Sequence, residues 1–371
     1  MAILSYKYNE ILEGGWQFSN VELDGKLNLM VGGTGSGKTR FLNTIFNMAL
    51  FALNKHPSSN AEWDVKIEHD GNVYAWSITI DRTPEGTVIT KEKLSKRTKD
   101  KEDVIVEREG FDFKFNGKPL PKLSERESSI YLLKNEELIK PLSQFFSRVM
   151  RRYFSEDALR QTCTLHVLDD KTLKKFESTV DLNELFAMDL GLNAKLWFLD
   201  KHFPELYSVI CEYYKDIFPF IRQVKVKKEK VPFPGVTPGF FIKEKKVDNW
   251  IRLDQLSSGM QKVLLILTDI CTLPEGATYI IDEYENSLGI NAIDFFPDFL
   301  TEFQPDAQII VTSHHPYLIN NIHPNNWFVF HRKGSEVIIK RGTELSKSLG
   351  KSKQQYFINL INDPFYAEGI E

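Results

Sequence analysis

Residues 27–39 read LNLMVGGTGSGKT, and they give the clearest indication of the fold class. Leu27–Val31 is a short apolar strand candidate, and Arg40–Leu53 places apolar residues at helical spacing. Between them, Gly32–Thr39 fits the phosphate-loop pattern G-x-x-x-x-G-K-[ST]. Backbone N–H groups of such a loop wrap phosphate oxygens, and the following helix adds the positive end of its dipole. The stretch therefore predicts a nucleotide phosphate site in an α/β fold.

Two side chains at the end of this loop have separate predicted roles. The ammonium of Lys38 would reach the β- and γ-phosphates, and the hydroxyl of Thr39 would ligate Mg²⁺. A chance glycine-rich turn is the alternative interpretation, and the flanking strand and helix argue against it. We therefore expect ATP with Mg²⁺ as the ligand. The residues predicted to bind ATP in this segment are Gly32, Gly33, Thr34, Gly35, Ser36, Gly37, Lys38, Thr39 and Arg40.

A second pattern places two carboxylates after an apolar run. Residues 277–283 read ATYIIDE. A buried parallel strand would deliver Asp282 to its carboxyl-terminal edge, where phosphates bind in such sheets. Asp282 suits direct or outer-shell ligation of Mg²⁺, and Glu283 suits polarising the attacking water. Alone, a strand that ends in a solvated acidic turn explains the pattern equally well, but its pairing with the phosphate loop favours a catalytic role.

A third pattern precedes the acidic pair by 25 residues, counted from Ser257 to Asp282. Residues 256–262 read LSSGMQK and are followed by the helical run Val263–Ile270. The heptapeptide resembles the LSGGQ signature of ABC-type ATPases. Ser257 could also serve simply as the N-cap of the helix that follows.

Two further segments resemble motifs of the same superfamily. Residues 285–288, ENSL, are similar to its D-loop, and residues 309–316, IIVTSHHP, are similar to its switch-histidine strand. His314 lies 32 residues after Asp282, as is typical of that superfamily. Four motifs in this order and spacing argue strongly against a chance match.

The start of the chain and the spacing of the motifs indicate a branch of the superfamily. Trp16–Leu23 and the phosphate loop resemble the small AAA-type members of the group that includes the OLD, RecF, Rad50 and SMC ATPases. Lys38 and Ser257 are 219 residues apart, much farther than in transporter subunits. Met260 stands where LSGGQ has glutamine, and Gln144 is a weak candidate for the Q-loop. Only 57 residues follow His314, too few for the Toprim nuclease domain of the OLD nucleases.

The resemblance implies a fold and a division of the chain. The expected fold class is α/β, a P-loop NTPase of ABC-ATPase type with two lobes, a mixed sheet, a β-meander and a helical insertion. The expected domains are an N-terminal ATPase lobe (1–125), a helical insertion (126–218) and a C-terminal ATPase lobe (219–371). Within them we predict a meander over 63–115, a solvated loop at the charge-dense segment 91–103, a helix over Leu138–Phe154, helices within Asn193–Phe218 and a hairpin over 219–251.

The resemblance also implies how the residues act. Two copies of such a head sandwich two ATP molecules, as a homodimer or a higher oligomer of dimers. Ser257 and Gly259 of one subunit would contact the γ-phosphate bound at Lys38 of the other, and Ser258 is predicted to bind ATP with them. His314 would hydrogen-bond the γ-phosphate. The predicted catalytic residues are Glu283, Lys38 and His314, and the predicted metal ligands are Thr39 and Asp282.

The composition indicates the cellular location of the protein more than the reaction it carries out. The net charge of −4 gives no overall positive field for nucleic acid. The three cysteines form no CxxC pair, which suits a reducing cytosol. No signal segment or membrane span is evident in the sequence, so we expect a cytoplasmic protein.

Three roles for the ATPase stay open. The favoured one is a switch that controls a separate effector, as in bacterial anti-phage systems. The second is a DNA-binding ATPase of recombination or repair type, since residues 221–246 contain eight Lys/Arg and two acids, a local charge of +6, together with Phe233, Phe240 and Phe241. The third is a P-loop small-molecule kinase, against which the signature, the ENSL segment and His314 argue.

Overall fold

The structure is a computed structural model, and it describes residues 1–55, 60–84, 86–99, 101–169, 171–174, 181–188, 190–229, 236–302, 306–345 and 355–370. These residues group into two compact units. Unit 1 comprises Met1–Arg152, Glu275–Tyr284 and Asp306–Glu371, and unit 2 comprises Tyr153–Pro274 and Glu285–Pro305. The division into 1–125, 126–218 and 219–371 stays a prediction.

Strands and helices are numbered along the chain. The strands are β1 (Ala2–Glu10), β2 (Gln17–Glu22), β3 (Leu27–Val31), β4 (Ala61–His69), β5 (Asn72–Thr83), β6 (Gly86–Arg97), β7 (Glu102–Glu109), β8 (Asp112–Phe115), β9 (Lys118–Pro119), β10 (Val149–Arg152), β11 (Ile221–Glu229), β12 (Thr237–Glu244), β13 (Ile251–Arg252), β14 (Thr278–Ile281), β15 (Gln308–Thr312), β16 (Trp327–Lys333) and β17 (Glu336–Arg341). The helices include α1 (Lys38–Ala52), α2 (Ser129–Leu132), α3 (Lys140–Ser147), α4 (Glu156–Cys163), α5 (Leu182–Ala187), α6 (Leu192–His202), α7 (Pro204–Ile217), α8 (Ser258–Thr272), α9 (Ile290–Glu302), α10 (Pro316–Asn321), α11 (Tyr356–Ile361) and α12 (Pro364–Ala367).

Unit 1 is built on one mixed sheet. Within the described residues it has 14 strands in the order β10-β14-β15-β3-β16-β17-β2-β1-β4-β5-β6-β7-β8-β9. Neighbours from β10 to β16 run parallel, so the carboxyl ends of β10, β14, β15 and β3 lie along one edge. Motifs that follow these strands are therefore brought together although they are far apart in sequence.

The central strand and the first helix form where the sequence predicts them. All five residues of β3 are buried, and α1 buries Phe41, Leu42, Ile45 and Met48 on one face. The ring of Phe41 makes edge contacts with neighbouring aromatic rings at 5.4 to 5.5 Å. Burial of each such side chain contributes about 1.5–3 kcal/mol, so this face fixes α1 against the sheet behind the phosphate loop.

The predicted meander is present as β4–β8. In β4 the buried residues are every second one, from Ala61 to Ile67, as expected for a sheet with one buried face. The prediction of a solvated loop at 91–103 is wrong for most of that segment. β6 extends to Arg97, and Glu92 within it is buried together with Arg108 of β7. A high density of charged residues predicted a solvated loop, but one of these charges, Glu92, lies inside unit 1 and pairs with Arg108.

The prediction of one helix over Leu138–Phe154 is also wrong in its second half. The helix α3 ends at Ser147, and Val149–Arg152 forms β10, which pairs in parallel with β14. The parallel partner comes from more than 120 residues downstream, as the register Val149 to Thr278 shows, so local periodicity could not reveal it. This pairing places the end of β10 beside the end of β14.

Unit 2 contains the predicted helices and hairpin. Helices α6 and α7 lie within Asn193–Phe218, apart from the first residue of α6. β11 and β12 pair in antiparallel fashion from Ile221 and Glu244 to Glu229 and Thr237. The tip of the hairpin, with Phe233, lies outside the described residues.

Candidate nucleotide site

The phosphate loop is shaped by glycine. Gly37 is the N-cap of α1 and has a φ of 100°, in the left-handed region that side chains disfavour. A Cβ at this position would lie 2.9 Å from the indole ring of Trp16, so the position also has no room for a side chain. The turn into α1 therefore requires glycine at this position.

Lys38 lies across this loop. Its Nζ donates to the carbonyl oxygens of Gly32 at 2.7 Å and Gly33 at 3.0 Å, and to Ser36 Oγ at 3.4 Å. The side chain is 6% exposed. The ammonium is thus held over the loop, within the region that phosphate oxygens would enter.

Asp282 follows β14 and is held by two hydroxyl groups. Its Oδ1 accepts hydrogen bonds from Thr312 Oγ1 at 2.8 Å and from Thr39 Oγ1 at 3.2 Å. A threonine hydroxyl that donates its proton still has lone pairs to offer. Thr39 can therefore donate to Asp282 and ligate a metal ion at the same time. Hydroxyl and carboxylate oxygens are hard donors of the kind Mg²⁺ prefers, so these residues fit that cation.

Glu283 is an exposed residue at the turn after Asp282. Its φ is 47°, which costs a non-glycine residue roughly 1–2 kcal/mol. Thr312 stabilises this turn, since Glu283 N donates to Thr312 Oγ1 at 2.7 Å and Tyr284 N donates to Thr312 O at 3.1 Å. The sequence interpretation gave Thr312 no role, although it lies in the TSHHP segment.

His314 follows β15 at the same edge of the sheet. Thr312 at the end of β15 is in register with Met30 of β3, two residues before Gly32. Ser313 N donates to Met30 O at 3.3 Å, and His315 caps α10 through Nδ1, which accepts from Tyr317 N at 3.3 Å. The half-buried His314 is therefore anchored on both sides, near the start of the phosphate loop.

Arg40 belongs to a cationic group beside the loop. It forms an ion pair with Glu10 at 2.9 Å and lies 5.1 Å from the ring of Trp16. Arg332 lies 4.3 Å from the same ring and donates to Gly35 O at 3.2 Å. Two guanidinium groups thus flank one indole next to the loop, and Arg332 was not found from the sequence.

A further cation missed by the sequence interpretation lies beside Asp282. Arg151, near the end of β10, has its Nη2 3.5 Å from Asp282 Oδ2. Gln144, the weak Q-loop candidate, lies exposed on α3, in the element before β10. Arg151 was missed because its strand was taken for part of a helix.

The signature segment belongs to unit 2. Ser257 is the N-cap of α8, and its Oγ accepts from Met260 N at 3.4 Å. Ser257 and Ser258 are exposed and Gly259 is half-buried, so three residues at the start of the signature are at least partly accessible. A Cβ at Gly259 would collide with the carbonyl oxygen of Ser287. The signature therefore packs against the ENSL segment within this unit.

The family is shown by a match over most of the chain. Residues 27–320 match the model of the family described as "AAA domain, putative AbiEii toxin, Type IV TA system". The chain belongs to this AAA-domain family. The matched range contains the phosphate loop, the signature, the acidic pair and His314. The predicted resemblance to AAA-type ATPases is therefore confirmed at the level of the family.

A solved SMC head shares the fold of this chain, and two further SMC heads are among the structures to which the chain is similar. The SmcHead bound to the C-winged helix domain of ScpA is 13% identical, with a TM-score of 0.54 over 92% of this chain and 98% of that one. An SMC head domain from Thermotoga maritima is 12% identical, with a TM-score of 0.40 over 92% and 99%. The Smc head bound to the C-terminal domain of ScpA derived from Pyrococcus furiosus is 13% identical, with a TM-score of 0.47 over 93% and 98%. No curated protein matches the sequence significantly.

These findings confirm the predicted α/β fold class with SMC-type P-loop ATPase neighbours. Membership of the AAA-domain family also implies the use of a nucleotide, usually with Mg²⁺. Among the helices of the described residues, none is long and apolar enough to cross a membrane.

Proposed function

We propose that this member of the AAA-domain family hydrolyses ATP with Mg²⁺, dimerises around ATP and controls a separate effector in bacterial anti-phage defence. One observation carries the ATPase part. Thr39, at the end of the phosphate loop, donates to Asp282 at the end of a parallel strand, and the exposed Glu283 follows at once. The proposed metal ligands, Thr39 and Asp282, and the proposed water-activating carboxylate of Glu283 thus lie at one edge of one sheet.

Each residue has a distinct part in the proposed reaction. The loop amides and Lys38 bind and orient the β- and γ-phosphates, and Thr39 and Asp282 hold Mg²⁺. The bound Mg²⁺ supplies charge neutralisation at the phosphate oxygens. Glu283 orients water and accepts its proton, while Thr312 holds the turn that positions Glu283. His314 hydrogen-bonds the γ-phosphate from the adjacent strand end.

The helix that follows the signature supports the proposed dimer. The N-terminus of α8 begins at the exposed residues Ser257 and Ser258 and has a positive dipole end, which together suit an anion. We propose that Ser257, Ser258 and Gly259 of one subunit bind the γ-phosphate held at Lys38 of another. The γ-phosphate would then join two subunits with twofold symmetry, and its loss would release them.

The proposed role in defence rests on the family rather than on the site. The family description names a putative toxin and a type IV toxin–antitoxin system. A switch whose assembly depends on ATP needs a component on which to act, and we assign that part to a separate effector protein.

A Glu283→Gln substitution tests the ATPase and the dimer together. The variant should bind ATP, hydrolyse it at least about a hundredfold more slowly, and accumulate as a dimer, because the water is no longer activated. Phosphate release and light scattering in ATP measure the two effects. Glu275→Gln, which changes an exposed acid just before β14, is the matched control.

Two outcomes would contradict this function. Unimpaired turnover in Glu283→Gln would show that Glu283 does not activate the attacking water. Normal ATP binding by Lys38→Ala would show that the phosphate loop is not the ATP-binding site. Phosphate release without any acceptor molecule excludes the kinase alternative, and a pull-down with Glu283→Gln in ATP would recover the effector.

A DNA-binding ATPase is the second candidate, and the hairpin in unit 2 favours it. Three lysines of β11 lie over aromatic rings: Lys225 is 3.5 Å from the ring of Trp250, Lys227 is 4.5 Å from that of Phe241, and Lys228 is 5.5 Å from that of Trp197. Basic groups beside aromatic faces are a common arrangement at nucleic-acid-binding surfaces.

Charge reversal of all three lysines tests this candidate. If the hairpin binds DNA phosphates, Lys225→Glu, Lys227→Glu and Lys228→Glu together should lower affinity and reduce the logarithmic salt slope by about three. Fluorescence anisotropy of labelled duplex DNA measures both. The control reverses three lysines that lie over aromatic rings in unit 1, Lys96, Lys122 and Lys134. Equal losses in both triple variants would refute a DNA site on the hairpin.

A further inference from the structure

The two oxygens of Asp282 have different surroundings. Oδ1 accepts from the hydroxyls of Thr312 and Thr39 at 2.8 and 3.2 Å. Oδ2 instead faces the guanidinium of Arg151, with Nη2 at 3.5 Å. A cation that approaches Asp282 on the side away from the two hydroxyls therefore meets a cation that belongs to the protein itself.

The position of Arg151 is set by the sheet. β10 pairs in parallel with β14, with Arg151 opposite Ile280, so its side chain starts from the strand next to that of Asp282. Arg151 is 15% exposed and Asp282 is 6% exposed, so water screens the pair only weakly. Within the described residues, the buried Nε of Arg151 has no hydrogen-bond partner. One donor of the guanidinium is thus unsatisfied in this position, which lowers the cost of leaving it.

We propose that Arg151 is a positioning residue that competes with Mg²⁺ for Asp282 and so sets the Mg²⁺ concentration at which ATP is bound tightly. The inference rests on the proposed ATPase function. Both cations are attracted to one carboxylate, and they repel each other at short range in a partly buried site. A metal ion held by Thr39 and Asp282, directly or through water, shares this carboxylate with the guanidinium, so the two cations destabilise each other there. Arg151 weakens metal binding without contacting ATP.

Arg151→Gln tests the competition with a readout other than turnover. The affinity of the full-length chain for a fluorescent ATP analogue is measured in EDTA and then at increasing free Mg²⁺, with Mn²⁺ binding followed by electron paramagnetic resonance. We expect the half-saturating Mg²⁺ concentration to fall by roughly fivefold or more, since couplings between neighbouring sites are typically of that size. Affinity in EDTA should stay within about twofold of the wild type, because the coupling acts only through the metal.

Two controls separate charge from packing. Arg151→Lys retains a cation and should keep a metal requirement close to that of the wild type. Arg148→Gln, whose guanidinium binds Glu275 O at 2.9 Å just before β10, should leave the metal requirement unchanged. Thermal melts of all variants show which are folded, and Arg151→Met replaces Arg151→Gln if the latter is not.

The outcomes are distinct. If folded Arg151→Gln has the wild-type Mg²⁺ dependence, the competition is refuted while the ATPase stands. If it loses affinity in EDTA and its Mg²⁺ dependence is unchanged, Arg151 binds phosphate and the inference is again refuted. If the wild-type chain binds no ATP under any condition, the proposed function fails, and the inference with it.

Discussion

Thr312 shows how one side chain can organise a site without contacting the substrate. Its hydroxyl donates to Asp282 and accepts from the backbone N–H of Glu283, so it joins two adjacent acids that have different predicted roles. The left-handed turn at Glu283 is stabilised through the same hydroxyl. The two acids are therefore oriented relative to each other by a residue of the neighbouring strand.

Glu92 is the buried acid of the meander, and its partners lie on three separate segments. Its carboxylate accepts from Trp76 Nε1 at 3.0 Å and from Ser129 N and Oγ at 3.0 and 2.7 Å, and Arg108 Nη1 lies 3.7 Å away. Burial is the largest influence on this carboxyl and raises its pKa, although these hydrogen bonds and Arg108 act in the opposite direction.

We expect Glu92→Gln to destabilise the fold by about 1–3 kcal/mol, since its amide NH₂ replaces the oxygen that faces Arg108 and Ser129 N and leaves these buried donors unsatisfied. Because the folded-state pKa of Glu92 is raised, its contribution to stability is fully present below the unfolded-state pKa and is lost as pH rises through the folded-state pKa. The variant should therefore lose less stability than the wild type over that pH range. Urea unfolding at several pH values measures both effects.

Glu107→Gln is the control for Glu92→Gln, because Glu107 is 56% exposed and its ion pair with Lys114 lies at the surface. A surface pair contributes only about 0–1 kcal/mol, so this variant should unfold close to the wild type. Similar losses in both variants would mean that the buried pair has no special role in stability.

At the scale of elements, the predictions that succeeded rest on local signals. The phosphate loop, β3, α1 and the hairpin are each specified by residues close together in the chain. The strand β10 and the burial of Glu92 depend instead on partners distant in sequence, Asp282 and Ser129 among them. A sequence pattern cannot show that Arg151 is adjacent to Asp282, because that contact exists only once β10 and β14 pair.

The candidate site divides in the same way. The roles of Lys38, Thr39, Asp282 and Glu283 stay predictions drawn from recognisable motifs, and the structure brings Thr39 and Asp282 into contact. The positions of Arg151 and Arg332 could not be predicted, since a lone arginine carries no motif, and Thr312 lies in the TSHHP segment but was given no role. The three residues that were missed position other groups or supply charge, and only the parallel order of strands reveals them.

At the scale of the whole molecule, the question is whether a complete site needs two chains. If Ser257 of one copy serves the ATP held at Lys38 of another, Lys38→Ala and Ser257→Arg should each abolish turnover. A heterodimer of the two variants would contain one site with both defects and one site with neither.

Mixing these two inactive variants should therefore restore phosphate release. With random pairing half of the dimers are mixed, and half of their sites are intact, so the mixture should recover about a quarter of wild-type activity. Each variant mixed with itself is the control and should stay inactive. If both variants fold and bind each other but no activity returns, the signature acts within its own chain or not at all. The recovered activity thus separates a shared ATP site from a self-contained one, because only a site built from two chains can be restored by combining two defective copies.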